Sequence, residues 1–193
     1  MLFGNVAPSG RLPFTVFANL AQVKDIADYE LTTQPGRTYL YYDESSIAKL
    51  GPPQYWFGFG LAYTRFAYSS LTLKKLSECK IRVNLTVANV GKVASREVAQ
   101  LYLKRPSPPS EVAMAPWMLK GYERTKILAP GSSTTLAFVL THVELSTVLE
   151  DGSRVVTAGR YTVHVGGGNP RDSRPQAKPV VGSVTVQAGC GNN

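Results

Sequence analysis

Long apolar runs are missing from this sequence. No stretch approaches the roughly 18 residues that a membrane-spanning helix requires, so no membrane partner is expected. The opening Met1-Leu2-Phe3-Gly4-Asn5 has neither the basic stretch nor the long apolar stretch of a secretory leader, so no signal peptide is expected. Cysteine is scarce. Cys79 and Cys190 alone exclude a disulfide-rich scaffold and a four-thiolate zinc site. Histidine is equally sparse. His142 and His164 stand apart in sequence, which argues against a histidine-built metal centre and places both at the surface or in turns. Repeats of 20–50 residues, the mark of solenoids and propellers, are absent. The Gly-rich run Val165–Asn169 follows a strand pattern, but no helix opens after it, so a phosphate-binding loop is disfavoured.

What is present is an ordinary globular composition, 44% hydrophobic and 18% charged over 193 residues. That excludes a disordered chain and suits one domain, or one domain and a tail. The formal net charge is +8, and it is unevenly placed. Residues 1–70 hold five basic and five acidic side chains, so the whole excess lies beyond them. Aromatics divide the other way: ten of nineteen fall within Tyr39–Tyr68. Two segments of different chemistry therefore meet near residue 70.

The second segment reads as strands. In Lys80–Ala88, Ile81, Val83, Leu85 and Val87 alternate with Arg82, Asn84 and Thr86, a period of two. Asn89-Val90-Gly91 supplies a turn. Glu97–Leu103 is nearly all apolar and is expected to be central. Leu136, Phe138 and Leu140 alternate after Pro130-Gly131. Leu145–Leu149 and Arg154–Val156 flank Asp151-Gly152, a hairpin signal. Arg160–Val165 follows, with Tyr161, Val163 and Val165 inward and Thr162 and His164 outward, and Val180–Gln187 closes the set. About seven short strands without an amphipathic helix predict an all-β immunoglobulin- or fibronectin type III-like sandwich. The first segment is broken by Pro8, Pro13, Gln34-Pro35-Gly36 and Gly51-Pro52-Pro53 and encloses no core of its own. Its rings each bury roughly 150–250 Å² when covered, so it must pack on its own sandwich or on a domain beyond this chain.

Three passages carry a resemblance. Leu2-Phe3-Gly4-Asn5-Val6-Ala7-Pro8-Ser9-Gly10-Arg11-Leu12-Pro13, Pro35-Gly36-Arg37-Thr38-Tyr39 and Phe57-Gly58-Phe59-Gly60-Leu61-Ala62-Tyr63-Thr64-Arg65-Phe66 resemble successive passages of glycoside hydrolase family 3, with Ala62 where serine is commoner. Val87–Gly91, Val98–Tyr102, Leu119–Arg124 and Leu128–Gly131 resemble the C-terminal fibronectin type III-like domain of that family. The likeness runs from Met1 to about Gly167. It implies a retaining exo-β-glycosidase lineage, of β-glucosidase or β-xylosidase type, with Pro35–Tyr39 tilting toward the β-xylosidase branch. Such chemistry needs two carboxyl groups about 5–5.5 Å apart, a nucleophile and an acid/base, and no cofactor. In the family both lie in a barrel and an α/β sandwich domain that precede the first passage. The resemblance therefore covers the C-terminal edge of the α/β domain and linker (1–68), the fibronectin type III-like domain (69–188) and a tail (189–193). This chain alone is expected to be inactive, a structural or accessory piece whose partners are the catalytic domains, in cis or in trans. The family expectation for location is extracellular or cell wall. An autonomous glycan-binding module, or a subunit completing a separate catalytic chain, are the alternatives.

Candidate sites follow. Asp25, Asp28, Glu30, Asp43 and Glu44 lie outside any nucleophile-like passage and read as loop carboxylates. Tyr55 and Trp56 are candidate sugar-stacking rings. Arg37, Tyr39, Phe57, Phe59 and Tyr63 are read as interdomain packing residues, Arg37 as a fork for carboxylate or carbonyl oxygens. Cys79 opens the second strand and Cys190 follows the last; in a fibronectin type III topology those ends share a pole. They are either a bridge, worth about 4–5 kcal/mol by chain entropy, or two free thiols. Asn84-Leu85-Thr86 is an N-glycosylation sequon on the solvent face. The basic residues are scattered: Lys80, Arg82 and Arg160 outward on strands, Lys104, Arg105, Arg171, Arg174 and Lys178 in loops. They read as a solvated cationic surface or one attracted to an anionic polysaccharide. Without interleaved stacking rings, nucleic acid is not the expected partner.

Overall fold

The computed structural model describes residues 3–4, 6–107, 114–174 and 177–187. Nine strands follow two short N-terminal pieces, a 3-10 turn at Leu20–Gln22 and helix α1 (Glu44–Leu50). The strands are β1 (Phe66–Ser77), β2 (Lys80–Asn89), β3 (Val98–Lys104), β4 (Met118–Arg124), β5 (Ser133–Leu140), β6 (Thr147–Val148), β7 (Arg154–Val155), β8 (Gly159–Gly166) and β9 (Val180–Val186); a single helical turn α2 (His142–Leu145) lies between β5 and β6.

Two antiparallel sheets form the sandwich. One has the order β1-β2-β5 and the other β4-β3-β8-β9. The period-two pattern explains the inner faces. Ile81, Val83, Leu85 and Val87 from β2 meet Ala99, Leu101 and Leu103 from β3 and Tyr161, Val163 and Val165 from β8 in one core. Asn89 ends β2 by bonding inward. Its amide donates to the Val93 and Leu128 carbonyls at 2.8 Å each, which fixes the turn into β3. Tyr161 stitches the crossover from the first sheet to β8: its hydroxyl donates to the Thr157 carbonyl at 2.8 Å, four residues upstream. This is the tyrosine-corner arrangement of immunoglobulin-like sandwiches.

The structure moves three sequence expectations. Leu145–Leu149 is not a strand. Thr141 caps α2 with a reciprocal Thr141–Glu144 box, and only Thr147–Val148 pairs with Arg154–Val155. Met118–Arg124 is a strand that its sequence does not announce. It has no alternation, because Gly121 takes the place of an inward side chain and packs on Phe138. His164 is on the outward face of β8, as expected, yet it is only 8% exposed. The outer face of the four-stranded sheet is covered over its middle strands, β3 and the end of β8.

Candidate interdomain surface

The cover is the first segment. Arg11–Val16 and Tyr55–Gly60 run antiparallel as a ribbon. Leu12 and Gly58 donate to the Phe59 and Leu12 carbonyls, and Val16 and Tyr55 donate to each other's carbonyls, at 2.8–3.0 Å. Two of the passages that carry the resemblance are thus paired in space. The ribbon lies over the outer residues of β3 and β8, which is why β3 is buried on both faces and reads as a continuous apolar run.

Three polar clamps hold the ribbon down. Arg11 reaches buried Glu97, Nη2 to Oε2 at 2.7 Å, and the Tyr68 hydroxyl donates to the other carboxylate oxygen at 2.6 Å. Burial pushes the Glu97 carboxyl up, against the pull of Arg11 and Tyr68. Burial first, and Glu97 second, push the Tyr68 phenol well above its usual value. In the second clamp Gln100 donates to the Gly58 and Gly167 carbonyls at 2.9 and 3.2 Å while accepting from Tyr102 at 2.8 Å. Gly58 is obligatory here: it has φ +82°, and a Cβ would sit 2.1 Å from Gln100 Oε1. The third clamp comes from the β8–β9 loop. Arg171 donates to the Tyr39 carbonyl at 2.8 Å and pairs with Glu44 at 3.4 Å. Arg174 donates to the Gln54 carbonyl at 2.7 Å, with its guanidinium 4.6 Å from the Phe59 ring and 5.1 Å from the Tyr55 ring. Arg171 and Arg174, expected as scattered loop cations, are binding groups within the chain.

The rings fall into place around these clamps. Tyr39 stacks on Phe57 at 4.3 Å and meets Tyr102 edge-on. Arg37 donates to the backbone carbonyls of Asp25 and Asp28, a grip on the loop before it. Tyr63 is half-exposed beyond the ribbon. Trp56 corrects a sequence expectation. At 1% exposure, wedged against Tyr42 and beneath Arg171, its ring offers no free face to a sugar. The Tyr55 ring has Arg174 over it. His164, expected at the surface, sits between Tyr102 and Trp117, and burial pulls its imidazole down to about 4.

Sequence reading missed Gln22. Its side chain is 1% exposed, accepts from Ala18 N and donates to the carbonyls of Leu50, Gly51 and Pro52. It ties the first segment to its own Pro-rich loop, and no local pattern announces it. Cys79 lies in the turn between β1 and β2 and packs on the core, whereas Cys190 lies outside the described residues. Asn84 is half-buried at the centre of β2's outer face, opposite Thr72 and Ala137.

Acidic groups have local duties. Asp28 pairs with Lys24 at 2.8 Å, and that hydrogen bond foremost holds its carboxyl below the usual value. Asp43 caps α1, Glu44 meets Arg171, Glu97 meets Arg11, and Asp172 pairs with Arg174 at 2.9 Å.

Other parts of the first segment are bare. Phe3, Leu20, Ile26 and Tyr29 are 92%, 88%, 87% and 84% exposed, and Val6 and Phe14 are also exposed. Single exposed apolar residues are ordinary, but this many within thirty residues is not.

Residues 97–169 match the fibronectin type III-like domain family. A β-glucosidase of Pyricularia oryzae is 33% identical over 202 residues, covering 90% of this chain and 26% of that protein. A putative β-xylosidase of Formosa agariphila is 32% identical, covering 86% of this chain and 21% of that one. The crystal structure of a family 3 β-glucosidase from Bifidobacterium adolescentis superposes with a TM-score of 0.80 at 29% identity, over 96% of this chain and 27% of that one. The chain matches the C-terminal part of a glycoside hydrolase family 3 enzyme. It spans about a quarter of the length of these relatives. Within this family 3 region, the expected tilt toward the β-xylosidase branch finds no preference, since relatives of both names occur at level identity.

Proposed function

We propose that the chain is the accessory C-terminal module of a family 3 retaining exo-β-glycosidase, itself carrying neither catalytic carboxylate. Its work is to present the first segment as a stiff apolar face against the domains that hold the chemistry, in cis or in trans. The observation that carries this reading is the two-sidedness of that segment. One side is locked onto the sandwich by Arg11, Gln100, Arg171 and Arg174, and the other leaves Phe3, Leu20, Ile26 and Tyr29 in solvent. Retaining hydrolysis needs two carboxyl groups about 5–5.5 Å apart, and Asp28, Asp43, Glu44, Glu97 and Asp172 are all taken up in caps and ion pairs. Arg37, Tyr39, Phe57, Phe59 and Tyr63 act in this reading as the packing residues that shape the presented face. The test is hydrolysis of chromogenic β-glucoside and β-xyloside by the purified chain. No release above the enzyme-free rate is expected, and sustained turnover abolished by no contaminant-removal step would overturn the proposal.

A further inference from the structure

The outward face of the β1-β2-β5 sheet has no part in the packing described above. The ribbon covers only the other sheet. Across this face the register sets Lys74 directly opposite Arg82, and Ser77 opposite Lys80. Lys74, Lys80 and Arg82 are exposed, and no described carboxylate pairs with them. Neither β1, β2 nor β5 contains an aspartate or glutamate. The nearest acids in sequence are Glu78, in the connecting turn, and Glu144, which is taken by Thr141 in the α2 cap. Like charges directly opposite on neighbouring strands destabilise a sheet, and here no ion pair among the described residues relieves them. The rest of the face mixes hydroxyl and amide side chains with Ala137 and Val139. Thr72, Asn84, Thr86 and Thr135 stand in adjacent rows on strands about 4.8 Å apart. It carries no aromatic ring on which a base could stack.

We propose that this face binds an anionic, carboxylate-bearing polysaccharide. The Lys74–Arg82–Lys80 end meets the uronate carboxylates, and the Thr and Asn rows hydrogen-bond the sugar hydroxyls. A carboxylate laid between Lys74 and Arg82 removes the repulsion that the sheet otherwise carries. The face chemistry alone supports this, whichever way the module reading falls. A glycan on Asn84 would stand in the middle of the face, so the binding form is unmodified there.

The experiment is affinity electrophoresis of the whole chain, made in a bacterium without N-glycosylation. The gels contain polygalacturonate, neutral xylan or no polymer, and a separate titration uses duplex DNA. Retardation by polygalacturonate alone is expected, fading as salt shortens the screening length from about 10 Å at 0.1 M to about 3 Å at 1 M. The double variant Lys74→Ser/Arg82→Thr should bind on the order of tenfold more weakly, as loss of two cations facing an anionic surface implies. The control Lys104→Ser/Lys178→Ser, on the other sheet and its loop, should be retarded like the parent. No retardation by polygalacturonate, equal retardation of the Lys74/Arg82 variant, or tighter binding to DNA would each overturn the proposal. Circular dichroism of the variants excludes misfolding as the cause of any loss.

Discussion

The decisive residues are charged or polar groups that the fold has taken out of water. Glu97 shows why. Its carboxylate is buried, and its cost is offset by Arg11 on one oxygen and Tyr68 on the other. Glu97→Gln should take from the Arg11 guanidinium its charged partner and destabilise the chain by about 3 kcal/mol in urea unfolding, as breaking one side of a buried pair does. A change near zero would mean that the ribbon is held by its other clamps. His164 makes a second case, now with pH. Its folded value of about 4 lies below its ordinary 6.5, because burial disfavours the imidazolium. The unfolded chain therefore binds the proton first. The stability His164 contributes is complete above about pH 6.5 and is lost as pH falls toward 4. His164→Phe keeps an aromatic ring between Tyr102 and Trp117 and removes the titration. The parent should lose up to about 3 kcal/mol relative to this variant between pH 7 and 4. Glu97, whose carboxyl is shifted upward, works in the opposite sense, but it is common to both proteins and cancels in the difference. A parent–variant gap independent of pH would contradict the buried neutral imidazole.

At the scale of elements, the ribbon depends on backbone approach. Gly58 and Gly131 both have positive φ, +82° and +78°, but only Gly58 would drive a Cβ into a neighbour. Gly131→Ala should cost about 1 kcal/mol, the ordinary penalty of the left-handed region. Gly58→Ala should cost clearly more, by roughly a further 1–3 kcal/mol, because Gln100 must give up its hold on the Gly58 carbonyl. Equal losses in thermal unfolding would show that the close approach carries no energy. The same comparison explains what the sequence disclosed. β2, β5 and β8 were legible because each has one core face and a period of two. The Asp151-Gly152 hairpin was legible from its turn residues, though its first strand was drawn too long where Thr141 instead caps a helical turn. β4 was not legible, since Gly121 in an inward place and a register shift against β3 between Leu101 and Tyr102 leave no alternation. The burial of His164, Gln100 and Trp56, and the clamping by Arg171 and Arg174, are facts about one segment lying on another. Nothing within eight or ten residues of any of them encodes that contact.

For the whole molecule the question is what the bare side of the first segment does in solution. Phe3, Leu20, Ile26 and Tyr29 expose large apolar surfaces on a segment that Arg11 and Gln100 tie to the sandwich. Such surface has an unrelieved transfer cost of roughly 25 cal/mol per Å². Where nothing covers it, it should bury itself against a second copy. Sedimentation velocity of the isolated chain is expected to show concentration-dependent self-association at low salt and to show it more strongly at high salt, where the net charge of +8 is screened. Leu20→Asp/Ile26→Asp removes two of the most exposed residues without touching a clamp. This variant should be monomeric over the same range, with its unfolding free energy within about 0.5 kcal/mol of the parent, as exposed substitutions usually are. A loss of stability instead of association would mean that Leu20 and Ile26 pack within the chain. A parent that stays monomeric at every concentration would mean that the face is not adhesive, and it would remove the physical reason for assigning it to a partner domain.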